Sequence, residues 1–308
     1  MRDAFIRQLA SLAKADPRII LLTGDLGFGV FDEYRRILPE QFLNVGVAEQ
    51  NLAAVATGMA LEGNIAFTYS IGNFPTLRCL EQLRNDACYH RANVKTVAIG
   101  GGFSYGNLGF SHHATEDLAI LRALPGMTVV APADLWEAEQ ATIALAAHEG
   151  CAYLRLDKSN AGRTDRPGEQ FELGRSRRLR DGKAITLIGC GGIVADLLAA
   201  ADTLGAEGID CRVVSHHTLT PVDGEALREA AEETGGILTV EEHSVAGGLG
   251  GAIAEHCLEV GPRPRRFRRL GLRDEFATVV GSQDYLRDRY GLGRAAVIAT
   301  VRELLARG

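Results

Sequence analysis

One carboxylate stands alone in an otherwise uncharged segment of this sequence. Between Phe42 and Leu61 the side chains are apolar, small or neutral, and Glu49 is the single ionisable one. Burial of such a carboxylate is costly, because desolvation disfavours its charged form unless a partner offsets the loss. If the segment from Val47 to Glu62 is a buried helix, its dipole favours an anion in the first turn by roughly 0.3–1 kcal/mol. Glu49 is then either a support for its own helix or a carboxyl that shares a proton with a ligand nitrogen, and the local pattern leaves both open.

The histidines and cysteines do not have the spacing of a metal site. The eight histidines include two adjacent pairs, His112–His113 and His216–His217, whose side chains point opposite ways in an extended segment. The six cysteines are scattered without a CxxC pair, which predicts reduced, mostly buried thiols in a cytosolic protein. We therefore expect neither metal ligands nor a disulfide framework in this chain.

A separate hypothesis, a dinucleotide site, comes from the segment LIGCGGIVADLL, where a strand pattern leads into glycines and a helix. Gly189 and Gly191 fit the first two glycines of such a site, and Asp210 lies where a ribose-binding acid is expected. The third glycine position holds Val194, which does not support the usual close contact between helix and strand. Because a tight turn needs glycines in any case, a dinucleotide-binding oxidoreductase stays an alternative without its full motif.

The elements that must position these residues alternate along the chain. Short aliphatic runs such as RIILLTGD, VKTVAIGG and AITLIGCG predict strands, and helical patterns lie between them, one of them over residues 76–90. This alternation predicts parallel sheets wrapped by helices. A polar, basic stretch after Lys158 separates two such series. We therefore expect an α/β protein with two doubly wound domains, residues 1–160 and 183–308, joined by a linker over residues 161–182.

Composition restricts the classes of partner. The 308 residues are 46% hydrophobic and carry a net charge of −6, which predicts a globular protein with room for two cores. Mild acidity gives no electrostatic case for nucleic acid or an anionic membrane, and the linker arginines lack interleaved aromatics. The N-terminus lacks the pattern of a signal peptide, and no apolar run is convincing as a membrane span. We expect a cytoplasmic protein that binds neither nucleic acid nor membrane.

Several longer motifs follow one another in a characteristic order. They are TGDLG with NVGVAEQNLAAVATGMALEG, SIGNFPTLRCLEQLRNDA, GFSHHATEDLAILRALPGMTVVAPAD, TVEEHSVAGGLGGAIAE and LGLRDEFATVVGSQDYLRDRYGL. Over nearly its full length the chain resembles the C-terminal portion of transketolase, in the split-gene form, and is similar to that of deoxyxylulose-phosphate synthase. The resemblance implies a pyrimidine-binding domain of thiamine-diphosphate enzymes followed by a transketolase C-terminal domain.

The resemblance also implies roles for individual residues. Glu49 would hydrogen-bond a pyrimidine nitrogen of thiamine diphosphate and so activate the cofactor, while His112 would face the reacting carbon. The residues implied to contact the cofactor are Asp25, Leu26, Glu49, Ile71, Phe74 and Leu77. Those implied to contact the substrate are His112, His113 and Lys158.

A partner subunit is implied by what the sequence lacks. The family's diphosphate-binding domain carries Gly-Asp-Gly and, further along, an asparagine, and together these hold the magnesium. This pair does not occur in the sequence. The resemblance therefore implies that Mg²⁺ and the diphosphate of the cofactor are held by an N-terminal transketolase subunit, in an α2β2 assembly.

The expected function is that of a transketolase-like transferase, which moves a two-carbon ketol unit between sugar-type carbonyl compounds. Gly29, Gly100 and Leu108 stand where the family binds phosphate or hydroxyl groups, and Lys158 stands where it has arginine. These departures indicate a substrate other than the usual pentose phosphates. Two alternatives are the β subunit of a 2-oxo acid dehydrogenase's decarboxylating component and a non-catalytic scaffold subunit in which Glu49 only supports its helix.

Overall fold

The computed structural model describes residues 1–27, 29–158 and 162–306. The strands in this part of the chain are β1 (Ile19–Thr23), β2 (Phe42–Asn44), β3 (Ile65–Ile71), β4 (Val94–Ile99), β5 (Thr128–Val130), β6 (Ala152–Leu156), β7 (Arg177–Arg180), β8 (Thr186–Gly189), β9 (Arg212–Ser215), β10 (Thr218–Thr220), β11 (Ile237–Ser244) and β12 (Phe267–Leu272). The α-helices are α1 (Arg2–Ala15), α2 (Asp32–Ile37), α3 (Glu49–Leu61), α4 (Leu80–Gln82), α5 (Asp117–Arg122), α6 (Leu135–Ala147), α7 (Val194–Ala206), α8 (Gly224–Glu233), α9 (Leu249–Glu259), α10 (Gln283–Arg289) and α11 (Arg294–Ala306).

The first sheet has the strand order β10-β5-β6-β4-β3-β1-β2. Strands β1 to β6 are parallel, and β10 pairs antiparallel with β5 at one edge. β1 and β6 are buried along their whole length, as expected for parallel strands covered on both faces. Adjacent residues of β1 enter different cores: Leu21 belongs to one apolar cluster and Leu22 to another. Helices therefore cover both faces of this sheet.

The second sheet has the order β12-β11-β8-β9-β7. It is parallel except for β7, which runs antiparallel to β9. Its core contains Leu187, Val213 and Leu238 from three neighbouring strands, together with residues of α7 and α11. The two parallel-dominated sheets with their helices confirm the predicted α/β architecture.

The predicted helix over residues 76–90 is helical in the structure but changes its winding. A 3-10 turn over Leu77–Cys79 leads into α4, and a π-helix follows over Leu83–Cys88. In the π-helix, bonds close over five residues, as from the Tyr89 N–H to the Arg84 carbonyl at 3.2 Å. Such π segments occur mostly as single turns and often lie near functional sites.

The division of the chain at residues 161–182 stays a prediction. Within that range β7 contributes a strand to the second sheet. Its first residue, Arg177, is buried and pairs with Glu137 and Glu169, each at 2.8 Å. The predicted start of the linker falls in residues 159–161, which lie outside the described residues.

The glycine turn after β8 contacts the first domain. Gly192 donates its backbone N–H to Asp157 Oδ2 at 2.7 Å. Burial raises the pKa of Asp157 to about 6, and the nearby charge of Glu242 adds to this shift. The Asp157 carboxylate thus accepts a hydrogen bond from the glycine turn. This contact gives Gly192 a structural role that needs no dinucleotide.

Glu242, near the end of β11, joins the two sheets. Its Oε1 accepts a hydrogen bond from the backbone N–H of Phe103 at 2.6 Å, and its Oε2 accepts one from Arg287 Nη2 at 2.7 Å. Two residues further on, Ser244 donates its N–H to the carbonyl of Thr115 at 2.8 Å. The loop between Phe103 and Thr115, which carries the first histidine pair, is therefore held at both ends by the second sheet.

Three further features concern function classes. Within residues 1–27, 29–158 and 162–306, no helix is both long and apolar enough to cross a bilayer. Over the same ranges, no three histidine, cysteine or acidic side chains are grouped to hold a metal. The six cysteines are buried free thiols, which confirms the prediction of their burial.

We predict that Arg287→Met lowers the free energy of unfolding by about 3–5 kcal/mol, because removing one partner of a buried ion pair leaves the other charge uncompensated. The measurement is urea denaturation of the free subunit. Arg302→Met is the matched control, because Arg302 pairs with Glu207 at the exposed surface and such pairs contribute about 0–1 kcal/mol. Equal losses in the two variants would contradict the role given to the Glu242 junction.

Candidate active site

Glu49 lies in the first turn of α3, as the sequence predicts, although the helix begins at Glu49 and not at Val47, and it is buried. It is 3% exposed, and its preceding residue, Ala48, offers no side-chain cap to the helix. Its carboxylate Oε2 accepts a hydrogen bond from Arg78 Nη1 at 2.8 Å. The lone charge of this segment therefore meets a guanidinium within its own chain.

The end of β1 packs closely against the start of α3. A Cβ built on Gly24 would lie 3.2 Å from the carbonyl oxygen of Gly46 and 4.0 Å from Glu49 Oε1. The next residue, Asp25, has a positive φ of 55°. Asn44 holds it by accepting from its N–H at 2.9 Å and donating to its carboxylate at 3.0 Å. The structure thus places Asp25 directly after the close contact between β1 and α3. This is at the carboxyl ends of the parallel strands, where open α/β sheets bind ligands.

Phe74 lies between Arg78 and His112. The Arg78 guanidinium carbon is 4.5 Å from the centroid of the Phe74 ring, a distance typical of a cation–π contact. The His112 ring meets the same phenyl ring edge-on, with centroids 5.3 Å apart. Arg78 therefore connects Glu49 with Phe74, and Phe74 contacts His112 directly.

The two adjacent histidines have different surroundings. His112 is half-buried, and its Nδ1 lies 3.1 Å from the hydroxyl of Ser111. His113 is buried, with its ring 5.2 Å from that of Phe103 and its Nε2 3.4 Å from the carbonyl of Gly106. Burial lowers the pKa of His113. Only His112 of this pair contacts Phe74, and the substrate role expected for His113 stays a prediction.

Lys158 lies over the ring of Tyr105, with its Nζ 4.9 Å from the ring centroid. Tyr105 also comes within 6.4 Å of His112, measured between ring centroids. Lys158 and Tyr105 line a cavity of about 300 Å³, together with Ser104 and Gln283. Lys158 is thus connected to the same series of contacts that begins at Glu49.

The remaining predicted cofactor residues are apolar. Leu26 and Ile71 are half-buried and pack against the core of the first sheet. Leu77 is exposed and lines a smaller cavity of about 170 Å³ with His113 and Phe276. Their contacts with a cofactor stay predictions.

Comparison with known proteins matches both halves of the chain. The family described as transketolase, pyrimidine binding domain, matches residues 1–163, and that described as transketolase, C-terminal domain, matches residues 174–297. The 6-deoxy-6-sulfo-D-fructose transketolase subunit of Clostridium sp. (strain MSTE9) is 37% identical over 100% of this chain and 95% of its own length. The chain belongs to the transketolase family.

Two further matches concern the split-gene form of transketolase. An apulose-4-phosphate transketolase subunit of Phocaeicola vulgatus is 35% identical over 99% of this chain and 97% of its own length. The solved structure of a split-gene transketolase, an inactive beta4 tetramer, is 39% identical and has a TM-score of 0.90, covering 99% of this chain and 98% of that one. Because these relatives are matched over nearly their whole length, the resemblance to separate transketolase subunits is confirmed.

Two residues of the transketolase site were not predicted from the sequence. Arg78 follows Phe74 by four residues, the spacing at which side chains meet in a helical turn, and this spacing is the signal that could have found it. Tyr105 packs against Gly100, where a Cβ would lie 2.2 Å from its ring. Burial raises the pKa of Tyr105. The tyrosine ring therefore fills the space into which a side chain at position 100 would project.

We predict that Gly100→Ala destabilises the subunit more than Gly150→Ala. Both glycines have positive φ, 98° and 92°, so both variants lose roughly 1–2 kcal/mol through backbone strain. Gly150 has no atom within 4 Å of a built Cβ, whereas Gly100→Ala also overlaps Tyr105 and loses about 1–3 kcal/mol more. Thermal unfolding measures the difference. Equal losses would show that Tyr105 does not restrict this position.

Proposed function

We propose that this chain is the second subunit of a thiamine-diphosphate-dependent transketolase, which transfers a two-carbon ketol unit between sugar-type carbonyl compounds. The observation that carries the proposal is the buried carboxylate of Glu49, which Arg78 connects to the Phe74 ring. His112 lies on the edge of that ring. Family membership supports it, because close relatives over the full length are transketolase subunits.

The residues present fit a flat, basic heterocycle such as the aminopyrimidine of thiamine diphosphate. Phe74 offers an aromatic face, and Glu49 offers a buried acceptor at the N-terminus of a helix. Two half-buried apolar side chains come from the same sheet: Ile71 ends β3, and Leu26 lies in the loop that follows β1. When bound, thiamine diphosphate supplies the nucleophilic carbon that takes up a two-carbon unit.

The chemistry assigned to this chain is proton handling. Glu49 is positioned to share a proton with a ring nitrogen of the cofactor, and its burial keeps water from competing for that contact. His112 has an imidazole that is half-buried beside Phe74, so it is positioned to hold or move a proton on a substrate hydroxyl. An imidazole suits this task because it carries two ring nitrogens, one of which can donate a hydrogen bond while the other accepts one.

We assign Mg²⁺ and the diphosphate to an N-terminal partner subunit, in an α2β2 assembly. The family's Gly-Asp-Gly and asparagine pair does not occur in this sequence. The split-gene transketolase that is 39% identical to this chain is inactive as a beta4 tetramer, which supports the need for a second type of subunit. We place this assembly in the cytoplasm.

For the substrate we propose a sugar whose far end carries an anionic group. The relatives named above act on 6-deoxy-6-sulfo-D-fructose and on apulose 4-phosphate, and both sugars carry such a group. In this chain Lys158 offers a cation at the cavity beside Tyr105. Tyr105 fills the space next to Gly100, one of the positions at which the resemblance implies phosphate or hydroxyl binding in the family. This arrangement favours an anion that needs one point charge rather than a bidentate guanidinium.

We predict that Glu49→Gln reduces turnover by the subunit complex at least about a hundredfold, since general acid–base groups contribute about 10²–10⁴. Turnover is assayed with the co-expressed N-terminal subunit, thiamine diphosphate and Mg²⁺, and assembly is checked by size-exclusion chromatography. Glu62→Gln is the matched control, because Glu62 is exposed at the other end of the same helix. Full turnover by assembled Glu49→Gln enzyme would refute the activation role.

The same complex separates the alternatives. Calorimetry with thiamine diphosphate and Mg²⁺ is expected to give a binding heat only when the partner is present. Absence of that heat in an assembled complex would favour a non-catalytic scaffold. Decarboxylation of a 2-oxo acid together with capture of a lipoyl-domain protein would favour the 2-oxo acid dehydrogenase alternative.

We predict that Lys158→Met raises KM about 10–100-fold for sugars with a terminal phosphate or sulfonate, the range expected when one hydrogen bond to a charged group is lost. KM for the corresponding uncharged sugars should stay the same, and so should kcat. Lys183→Met, at an exposed site before β8, is the control. A rise in KM that is equal for charged and uncharged sugars would contradict the assignment of Lys158.

A further inference from the structure

Arg78 makes both contacts that the proposed function assigns to the aminopyrimidine ring. Its guanidinium donates to the Glu49 carboxylate at 2.8 Å and lies 4.5 Å from the Phe74 ring centroid. A guanidinium is flat and cationic, and it stacks on aromatic faces while donating in its own plane. A protonated aminopyrimidine ring is likewise flat and cationic, and its ring N–H would donate to a carboxylate in the same way.

The two partners of this ion pair differ in exposure. The Glu49 side chain is 3% exposed, whereas that of Arg78 is 49% exposed. The buried partner is fixed by the start of α3, while the exposed one has solvent on one side into which it can move. When a ligand breaks this ion pair, Arg78 therefore moves away and Glu49 stays in place.

No other cation takes the place of Arg78 beside this carboxylate among the described residues. The charge of Glu49 also acts on the thiol of Cys79, whose pKa burial and this charge raise to about 12. This thiol is therefore neutral at physiological pH. The backbone at Gly24 also lies close to this carboxylate, since a Cβ built there would be 4.0 Å from Glu49 Oε1. Without Arg78, Glu49 is a buried charge with no compensating cation.

We propose that Arg78 is a placeholder for the aminopyrimidine, which neutralises Glu49 and covers Phe74 in the free subunit and leaves both when the cofactor binds. This inference rests on the proposed function and adds a residue that sets cofactor affinity. A ligand that must displace an internal group binds only the fraction of protein from which that group has moved away. Its apparent Kd is the intrinsic Kd divided by this fraction, so a small fraction gives weak binding. Arg78 thus stabilises the free subunit and weakens cofactor binding at the same time.

The first test is a double-mutant cycle in the free subunit, which needs no cofactor. Arg78→Met is expected to lower the Tm by several degrees, because Glu49 loses its counter-charge. In a Glu49→Gln background the same substitution is expected to change the Tm little. Arg84→Met is the matched control, since Arg84 is exposed on the following turn and contacts Asn85 instead. Equal Tm shifts of Arg78→Met in both backgrounds would overturn the pairing.

The second test is calorimetric titration of thiamine diphosphate into the complex with the N-terminal subunit and Mg²⁺. Arg78→Met is expected to lower the apparent Kd at least threefold, and Arg84→Met to leave it unchanged. Arg78→Lys keeps the charge but not the flat stacking group, so we expect a smaller decrease. If Arg78→Met does not fold, Arg78→Lys takes over the test on the same criterion.

An unchanged or higher Kd in the Arg78 variants would overturn the placeholder role, because it would mean that Arg78 does not compete with the cofactor. This result differs from a failure of the proposed function. In that case the wild-type complex itself gives no binding heat, while the double-mutant cycle in the free subunit keeps its outcome.

Discussion

The hydrogen bonds of Glu242 connect the chemistry of the first sheet to the second. One carboxylate oxygen holds the N–H of Phe103 and the other holds Arg287, so a single buried side chain joins a loop of one domain to a helix of the other. A Cβ at Gly102 would lie 2.8 Å from this side chain, which leaves little room for the loop to shift. The position of the His112 loop therefore depends on Glu242 and Arg287, which belong to the second half of the chain.

The core of the first domain extends this dependence. One apolar cluster contains Leu22 and Leu52 of the first domain together with Ile188 and Ile253 of the second. Close packing transmits small displacements because interiors have few voids. The transketolase C-terminal domain thus supports the His112 loop through these contacts. Among the described residues, its side chains do not take part in the contacts that lead from Glu49 to Lys158.

Much of this arrangement could be predicted from the sequence. The features that could not be predicted depend on contacts between residues far apart in the chain. Buried strands such as β1 and β6 were predictable because short aliphatic runs that end at polar or glycine turns are typical of strands. β7 falls within the predicted linker because its residues are mostly arginine, and Glu137, an acidic partner of Arg177, is 40 residues away. The π winding of Leu83–Cys88 follows from packing and not from residue type. Glu49 was found through its isolation, but its partner Arg78 is 29 residues distant and belongs to no pattern around Glu49.

The short strand β10 has a consequence for how the two domains can be separated. It pairs antiparallel with β5 and forms the edge of the first sheet, although it belongs to the second half of the chain. A first domain made alone would expose the unpaired N–H and C=O groups of β5 along its edge. Such an edge is a template for strand addition and aggregation. The C-terminal domain therefore also protects the solubility of the domain that carries Glu49.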